Sequence, residues 1–335
     1  MLFQKSKKII ERRTMKKYDV VIIGAGPIGL ACGLEAKSKG LDYLIIEKGC
    51  LVNSIYNYPV NMQFFSSSER LELDNIPFIS TEKKPRRNEA LEYYRRIAFH
   101  AELNIHLFET VLNIQKETDT FSIQTSKNNY LAQNVVIATG FYDLPNLMHI
   151  PGESLPKVSH YYNDPHYYAG MKVVIVGASN SSVDAALECY RKGADVTMIV
   201  RNNKIGETVK YWVKPGIENR IAEGSIVVFF NSCLSEIKED CVLIETETER
   251  VTLENDFVLA LTGYRPNFGF LKQLGITIAD EESQTPTYNK DTMETNIANL
   301  YLAGVVCGGL NTHLWFIENS RIHAKQIISH IITKD

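Results

Sequence analysis

The chain has six cysteines, yet no two are spaced C-x-x-C and none falls in a zinc-type pattern. That excludes a C-x-x-C dithiol as redox centre, and no metal site is expected. Scattered thiols in a chain of 335 residues fit a reducing, cytoplasmic compartment. Long apolar runs are missing too: none approaches the roughly 20 residues that a membrane span needs. Charge is near balance, a net −3 from 36 Lys+Arg against 39 Asp+Glu, so nothing in it draws nucleic acid or a membrane surface. The basic start, "MLFQKSKKIIERRTMKKYD", lacks the apolar core and small-residue cleavage site of a secretory signal. Met15 reads as an alternative start, with residues 1–14 expected to be poorly ordered.

What is present is a repeat. "YDVVIIGAGPIGLACGLEAKSKGLDYLIIEK" (Tyr18–Lys48) and "MKVVIVGASNSSVDAALECYRKGADVTMIVR" (Met171–Arg201) share one pattern. Each is a solid apolar run, a glycine turn, a helical pattern, a Lys-Gly stop and a second apolar run. Gly24 aligns with Gly177, Gly40 with Gly193, and Glu47 with Val200. One strand-helix-strand unit is common; two in register argue for two dinucleotide-binding domains.

The first copy carries G-x-G-x-x-G as Gly24, Gly26 and Gly29. These allow a tight turn, a close backbone approach to the phosphates, and close packing of helix on strand. The helix N-terminus then offers free N–H groups to a pyrophosphate. Glu47 ends the second strand, where a carboxylate accepts ribose hydroxyls. In the second copy Ser179 and Ser182 replace two glycines; they are small, and their hydroxyls can donate to phosphate. The second strand ends in Arg201 rather than an acid, with Lys204 nearby, which favours the 2′-phosphate of NADPH over NADH. Gly177, Ala178, Asn180 and Ser181 complete that turn.

Two such sites suggest an electron relay in which one holds FAD and the other takes NADPH. "VVIATG" (Val135–Gly140) and "FVLALTGYRPN" (Phe257–Asn267) are buried runs ending in Thr-Gly, Thr139–Gly140 and Thr262–Gly263, where the chain would cross between domains. The expected fold is α/β, with two Rossmann-like three-layer dinucleotide-binding domains. The NADPH domain (151–267) is inserted into a discontinuous FAD domain (15–150 and 268–335). The closing run "NLYLAGVV" ends near Gly304, which can approach the flavin chain. "SIYNYPVNMQFFSSS" (Ser54–Ser68), dense in aromatics and hydroxyls, suits an isoalloxazine ring or reads as an ordinary apolar loop. "EKKPRRNEALEYYRRIAFHAELNI" (Glu82–Ile105) starts basic and becomes an amphipathic helix with Leu91, Tyr94 and Ala98 on one face. Its basic residues could steer an acidic substrate or electron-transfer partner, or be the solvated face of a covering helix.

These features resemble the thioredoxin-reductase-like flavoproteins with two dinucleotide-binding domains, over nearly the whole chain from Tyr18. The closer resemblance is to the YpdA-type bacillithiol-disulfide reductases. It is carried by "LIIEKG", "SIYNYP", "FFSSS", "PRRN", "NSSVDAALE", "YNKDTMETNI" and "FIEN". It implies FAD contacts from Pro27, Ile28, Lys48, Tyr56, Asn57, Phe65, Ser66, Val111 and Val305 beside the glycines and Glu47. It also implies a small-molecule disulfide as acceptor, and a homo-oligomer, dimer or tetramer. A ferredoxin, flavodoxin or quinone reductase is the alternative. Departures are informative. Many relatives of this type have a cysteine after the Pro of the first glycine motif; here Ile28 stands there and cannot attack a disulfide. Val305 stands where thioredoxin reductases carry Asp. Cys32, one helical turn beyond Ile28, reads as a core thiol, and Cys307 is the candidate redox residue. Flavin monooxygenases are a further rival, through "HYYNDPHYYAGMKVVIVGASNSSVDAA". Their F-x-G-x-x-x-H would end at His160, but Ser154 and Pro156 occupy the Phe and Gly positions.

Overall fold

The structure, a computed structural model, describes residues 16–334; the expectations for Met15 and residues 1–14 lie outside them. The chain opens with β1 (Lys17–Ile23), α1 (Pro27–Ser38) and β2 (Tyr43–Ile46). The short α2 (Asn53–Tyr56) and α3 (Arg87–His100) then lead to β3 (Ile105–His106). A meander of β4 (Val111–Lys116), β5 (Phe121–Thr125) and β6 (Asn129–Ile137) follows. The sheet order is β3-β2-β1-β6-β5-β4, parallel from β3 to β6 and antiparallel beyond. β6 is long enough to serve two neighbours on one side. Its first half pairs with β5, and its last residues, Val135–Ile137, pair with a strand from the far end of the chain.

That strand is reached only after a second sheet. β7 (Leu144–Pro145) leads out, and β8 (Val158–Ser159), β9 (Lys172–Val176), α4 (Asn180–Arg191), β10 (Asp195–Ile199), α5 (Lys214–Ala222) and β11 (Val227–Phe229) follow. Next come β12 (Cys233–Ile237), β13 (Cys241–Glu245), β14 (Arg250–Glu254), β15 (Phe257–Ala260) and β16 (Tyr264–Arg265). The second sheet, β11-β10-β9-β15-β8, is parallel throughout. Helices cover one face, and the antiparallel β12-β13-β14 sheet covers the other through Leu234, Ile237, Val242 and Ile244. After α6 (Phe268–Gln273) the chain returns as β17 (Leu300–Leu302) beside β6, and α7 (Ile317–Ser320) and α8 (Ile322–Lys334) close it. α8 lays Ala324, Ile327, Ile328 and Ile331, an i, i+3, i+4, i+7 stripe, against the first core.

The result is a mixed α/β fold with parallel, Rossmann-like sheets. Both copies of the repeat end their helix the same way. Leu41 N–H reaches Ala36 O and Gly40 N–H reaches Lys37 O; Ala194 N–H reaches Cys189 O and Gly193 N–H reaches Tyr190 O. These are Schellman closures, and they require the left-handed glycines Gly40 (φ 73°) and Gly193 (φ 83°) of the Lys-Gly stop. The two crossing segments pair as a ribbon: Tyr264–Arg265 lies antiparallel to Leu144–Pro145. Asn146 N–H donates to Gly263 O at 2.9 Å, and the Thr262 hydroxyl donates to Asn146 O. Tyr161 stacks on Tyr264 at the crossing, and Tyr142 packs edge-on to Tyr161 and tilted against Tyr264.

Candidate functional site

Register places the expected residues together. Ile23, Ile46, Ile137 and Leu302 end adjacent parallel strands, so Gly24, Glu47, Thr139 and Gly304 all emerge at one carboxyl edge. Ligands of parallel sheets bind at that edge. Gly24 (φ 109°) turns the chain so tightly that a Cβ would sit 2.5 Å from Ala138 O. A Cβ on Gly29 would lie 1.8 Å from Gly24 O, so α1 can meet β1 only through glycine. Gly26 differs: it is the N-cap of α1, extended (φ −70°, ψ 176°), without a side-chain cap, and nothing lies within 4 Å of its Cβ position. Pro27 starts the helix, and the amides behind it face an open cradle. That cradle is what a dinucleotide pyrophosphate requires.

Glu47 is 6% exposed. Its two oxygens accept from Ala25 N–H and Gly49 N–H, each at 2.9 Å, so the carboxylate is fixed beside the cradle. Burial pushes its pKa up, and the two amides oppose the shift. Lys48 turns away to Asp143 at 2.7 Å. The Glu109 amide bonds Glu47 O, which brings the segment leading to Val111 alongside. Tyr56 and Phe65 are large rings left 55% and 58% exposed. Arg87 donates to Tyr56 O and lies over its ring, Asn57 O accepts from Tyr142, and Ser66 is half-buried next to Phe65. Gly140 (φ 69°) has free space around it. The open cradle, the fixed acceptor and the exposed rings fit FAD.

On the far side Gly304 (φ 84°) packs on Ile28, whose Cγ1 would be 3.3 Å from an added Cβ. Val305 is half-buried beside it. Gly304 N–H donates to His323 Nδ1 at 3.1 Å, so the ring proton of His323 sits on Nε2. This partnership of Gly304 with the last helix was not legible in the sequence. Cys307 is fully buried, 4.0 Å from His323 Nδ1, and burial pushes its pKa far up. Cys32 is buried too and pushed up to about 12. Thiols so placed are shielded from exchange. His313 is exposed, whereas Trp315 packs edge-on against His323 at 4.5 Å.

The second turn shows how two glycines can be dispensed with. Gly177 (φ 131°) is required, because a Cβ would meet Leu261 O at 2.6 Å. Ser179 is an extended N-cap (φ −97°, ψ −175°), open to any residue, and Ser182 is buried with its hydroxyl on Ser179 O at 2.9 Å. Ser181 is exposed at the helix start. Asn180 is engaged instead with the loop after β10, accepting from Lys210 N–H at 2.8 Å and donating to Thr208 O; Ala178 O accepts from Gly206 N–H. Arg201 is exposed and has no ion pair among the described residues, while Lys204 pairs with the exposed Glu207. Thr262 and Gly263 are tied to Asn146 at the crossing. An uncapped helix start, a free guanidinium and Gly177 fit NADPH. His160 Nε2 faces Glu153 at 3.6 Å, and His160 O accepts from Tyr264. Among the described residues no cluster of His, Cys, Asp or Glu could hold a metal, and no helix is long and apolar enough to cross a membrane.

Residues 21–304 match the family model described as pyridine nucleotide-disulphide oxidoreductase, and the chain belongs to that family: it is an oxidoreductase that uses FAD and NADPH. Among individual proteins, it is 44% identical over 317 residues to the bacilliredoxin reductase Bdr of Bacillus subtilis (strain 168), covering 94% of this chain and 98% of that one. It is also similar to the solved bacillithiol disulfide reductases Bdr (YpdA) from Bacillus cereus and Staphylococcus aureus. Each superposes with a TM-score of 0.93, at 42% and 43% identity, over 96% of this chain and 100% of the other. The resemblance drawn from the sequence motifs is borne out.

Proposed function

We propose that the first site holds FAD, that the second takes NADPH, and that the acceptor is a low-molecular-weight thiol disulfide of the bacillithiol type. In this reading the NADPH domain, residues 151–267, is inserted into an FAD domain made of 15–150 and 268–335. The observation that carries it is the pairing of two uncapped helix starts, after Gly26 and at Ser179, each following a parallel strand of its own sheet, with the crossing segments bonded to each other. When bound, FAD would supply two-electron redox chemistry, by which NADPH, one solvent proton and the disulfide would give NADP⁺ and two thiols. The chain's work is alignment: Gly26 and Glu47 fix one cofactor, Ser179 and Arg201 the other, and the Asn146–Thr262 crossing fixes their separation. The similarity to Bdr proteins supports the disulfide over a ferredoxin or a quinone. The free cysteines support a reducing, cytoplasmic setting. Steady-state NADPH oxidation against bacillithiol disulfide, a ferredoxin and a quinone, side by side, tests it. Turnover with the disulfide is expected to exceed the others, and turnover confined to the ferredoxin or the quinone would overturn the reading.

A further inference from the structure

The basic segment before α3 reaches across to the second sheet's half of the chain. Lys84 Nζ lies 4.6 Å from the centre of the Phe65 ring and 4.1 Å from that of Trp212, and it donates to Phe65 O. The two rings are 5.6 Å apart, tilted by 35°. Phe65 belongs to the loop assigned above to FAD, and Trp212 to the loop after β10 that Asn180 holds over the second helix start. One ammonium therefore sits between both halves, held by ring faces and a carbonyl rather than by a carboxylate.

Its neighbours add to the imbalance. The charged groups acting on Lys84 through space are Lys83, Lys210 and Arg70, all positive, and Glu318. Glu318 is shared with Arg70 at 3.6 Å, and Lys210 is taken by Asp184 at 2.8 Å. Lys83 and Lys84 have no ion pair among the described residues. Burial and like charge push the Lys84 pKa down, so the corner is short of an anion. Tyr211, 74% exposed and edge-on to Trp212 at 4.9 Å, extends the aromatic surface. A clasp that only joined two halves would gain from an acid at this place.

Resting on the function proposed above, we infer that this corner is the subsite for the anionic, sugar-bearing arm of the disulfide substrate. Each half of bacillithiol disulfide carries a malyl group with free carboxylates on a glucosamine. Lys83 and Lys84 match the carboxylates, and the faces of Tyr211 and Trp212 match the sugar ring. A disulfide so anchored would lie beside the Phe65–Ser66 loop, where the electrons are to be delivered.

The test is equilibrium dialysis of bacillithiol disulfide against oxidised holoenzyme, with cystamine, a cationic disulfide, as comparison. Lys83 is exposed and its side chain makes no hydrogen bond or ion pair among the described residues, so Lys83→Glu isolates the charge; Lys84→Met keeps the packed stem, and Lys84→Arg restores the cation. Lys83→Glu and Lys84→Met are each expected to weaken bacillithiol disulfide binding roughly tenfold or more. Lys84→Arg should retain it, added salt should weaken it, and cystamine binding and the KM for NADPH should not worsen. Unchanged affinity in the Lys83→Glu/Lys84→Met double variant overturns the subsite, as does absence of binding to the wild type. A rise in the KM for NADPH that matches the loss would assign the cations to the nucleotide instead and also overturns it. Turnover is read separately: wild-type protein that binds the disulfide at this corner without reducing it refutes the proposed function and leaves the subsite standing.

Discussion

The glycines of the first turn separate folding from cofactor binding, and the separation can be measured. Gly29 serves the fold: an alanine there places its Cβ 1.8 Å from the Gly24 carbonyl oxygen, an overlap with backbone that no rotamer relieves. Gly29→Ala should cost about 3 kcal/mol or more, the upper range of overpacking. Gly26 does not serve the fold. Its φ of −70° suits any residue, and its Cβ would enter empty space. Replacing glycine by alanine at an N-cap costs less than about 1 kcal/mol. That same space is where the pyrophosphate is proposed to approach the first amides of α1. A methyl group there forfeits two charge-assisted contacts of about 1.5–3 kcal/mol each, a loss in FAD affinity of roughly 100-fold or more. Apoprotein unfolding in urea and FAD titration by fluorescence quenching measure the two effects apart. Gly26→Ala should unfold near the wild-type midpoint and fail to hold FAD. Wild-type FAD affinity in Gly26→Ala, or an apoprotein as destabilised as Gly29→Ala, would refute the reasoning.

Three further outcomes follow from the same geometry. Arg201→Ala removes a free guanidinium, and should raise the KM for NADPH by about 1.5–3 kcal/mol in free-energy terms while leaving that for NADH nearly unchanged; equal effects on both would separate Arg201 from the 2′-phosphate. The Cys32→Ala/Cys307→Ala double variant should keep flavin reduction and disulfide turnover apart from packing losses, and a large fall in turnover with flavin reduction intact would return a thiol to the mechanism. Burial holds His323 down to about 4, below the roughly 6.5 of a free imidazole. The unfolded chain takes up that proton first, so His323 contributes stability in full above about pH 6.5 that is lost as pH falls toward 4, by at most about 1.4 kcal/mol per pH unit. His323→Gln should flatten the urea midpoint over that window, and an unchanged slope would count against the assignment.

How much of this was legible in the sequence depended on the range of the signal. The glycine turns, the uncapped helix starts, the Lys-Gly stops and Glu47 are local patterns of a few residues, and the structure has them where the periodicity put them. Tyr94 and Ala98 are buried on one face of α3, with Leu91 partly so. The β4–β5 hairpin and the β12-β13-β14 sheet were not separated from their surroundings, because short alternating runs look like loop until a partner strand gives them a buried face. The closing segment Ile317–Lys334 is not one continuous helix but the pair α7 and α8. It breaks at Arg321, after a turn in which Asn319 and Ser320 bond backward to Phe316 and Leu314. Contacts between distant residues left no local trace at all. Asn146 at Gly263, His323 at Gly304 and Lys84 at Trp212 join segments far apart in the chain, and each was visible only once the sheets were assembled.

The thiol question shows what that long-range information changes. From the sequence, Ile28 removed one sulfur and Cys307 remained the candidate to replace it. In the structure Ile28 packs against Gly304, and Cys307 is fully buried, with Cys32 close enough to raise its pKa further. Exchange with a disulfide requires an accessible thiolate, and burial opposes both accessibility and ionisation at these positions. Under the proposed function the disulfide must therefore be reduced without a mixed disulfide at either site. Such a route has no covalent capture to hold the substrate while electrons pass, so residence has to come from non-covalent anchoring. An anionic disulfide would find that anchoring at Lys83 and Lys84, cations without an ion pair among the described residues, beside the exposed Phe65 ring. On this account the isoleucine at position 28 and the excess of positive charge at the Lys83–Lys84 corner are two parts of one solution. A chain of this type that regained a cysteine at position 28 should depend less on that charge.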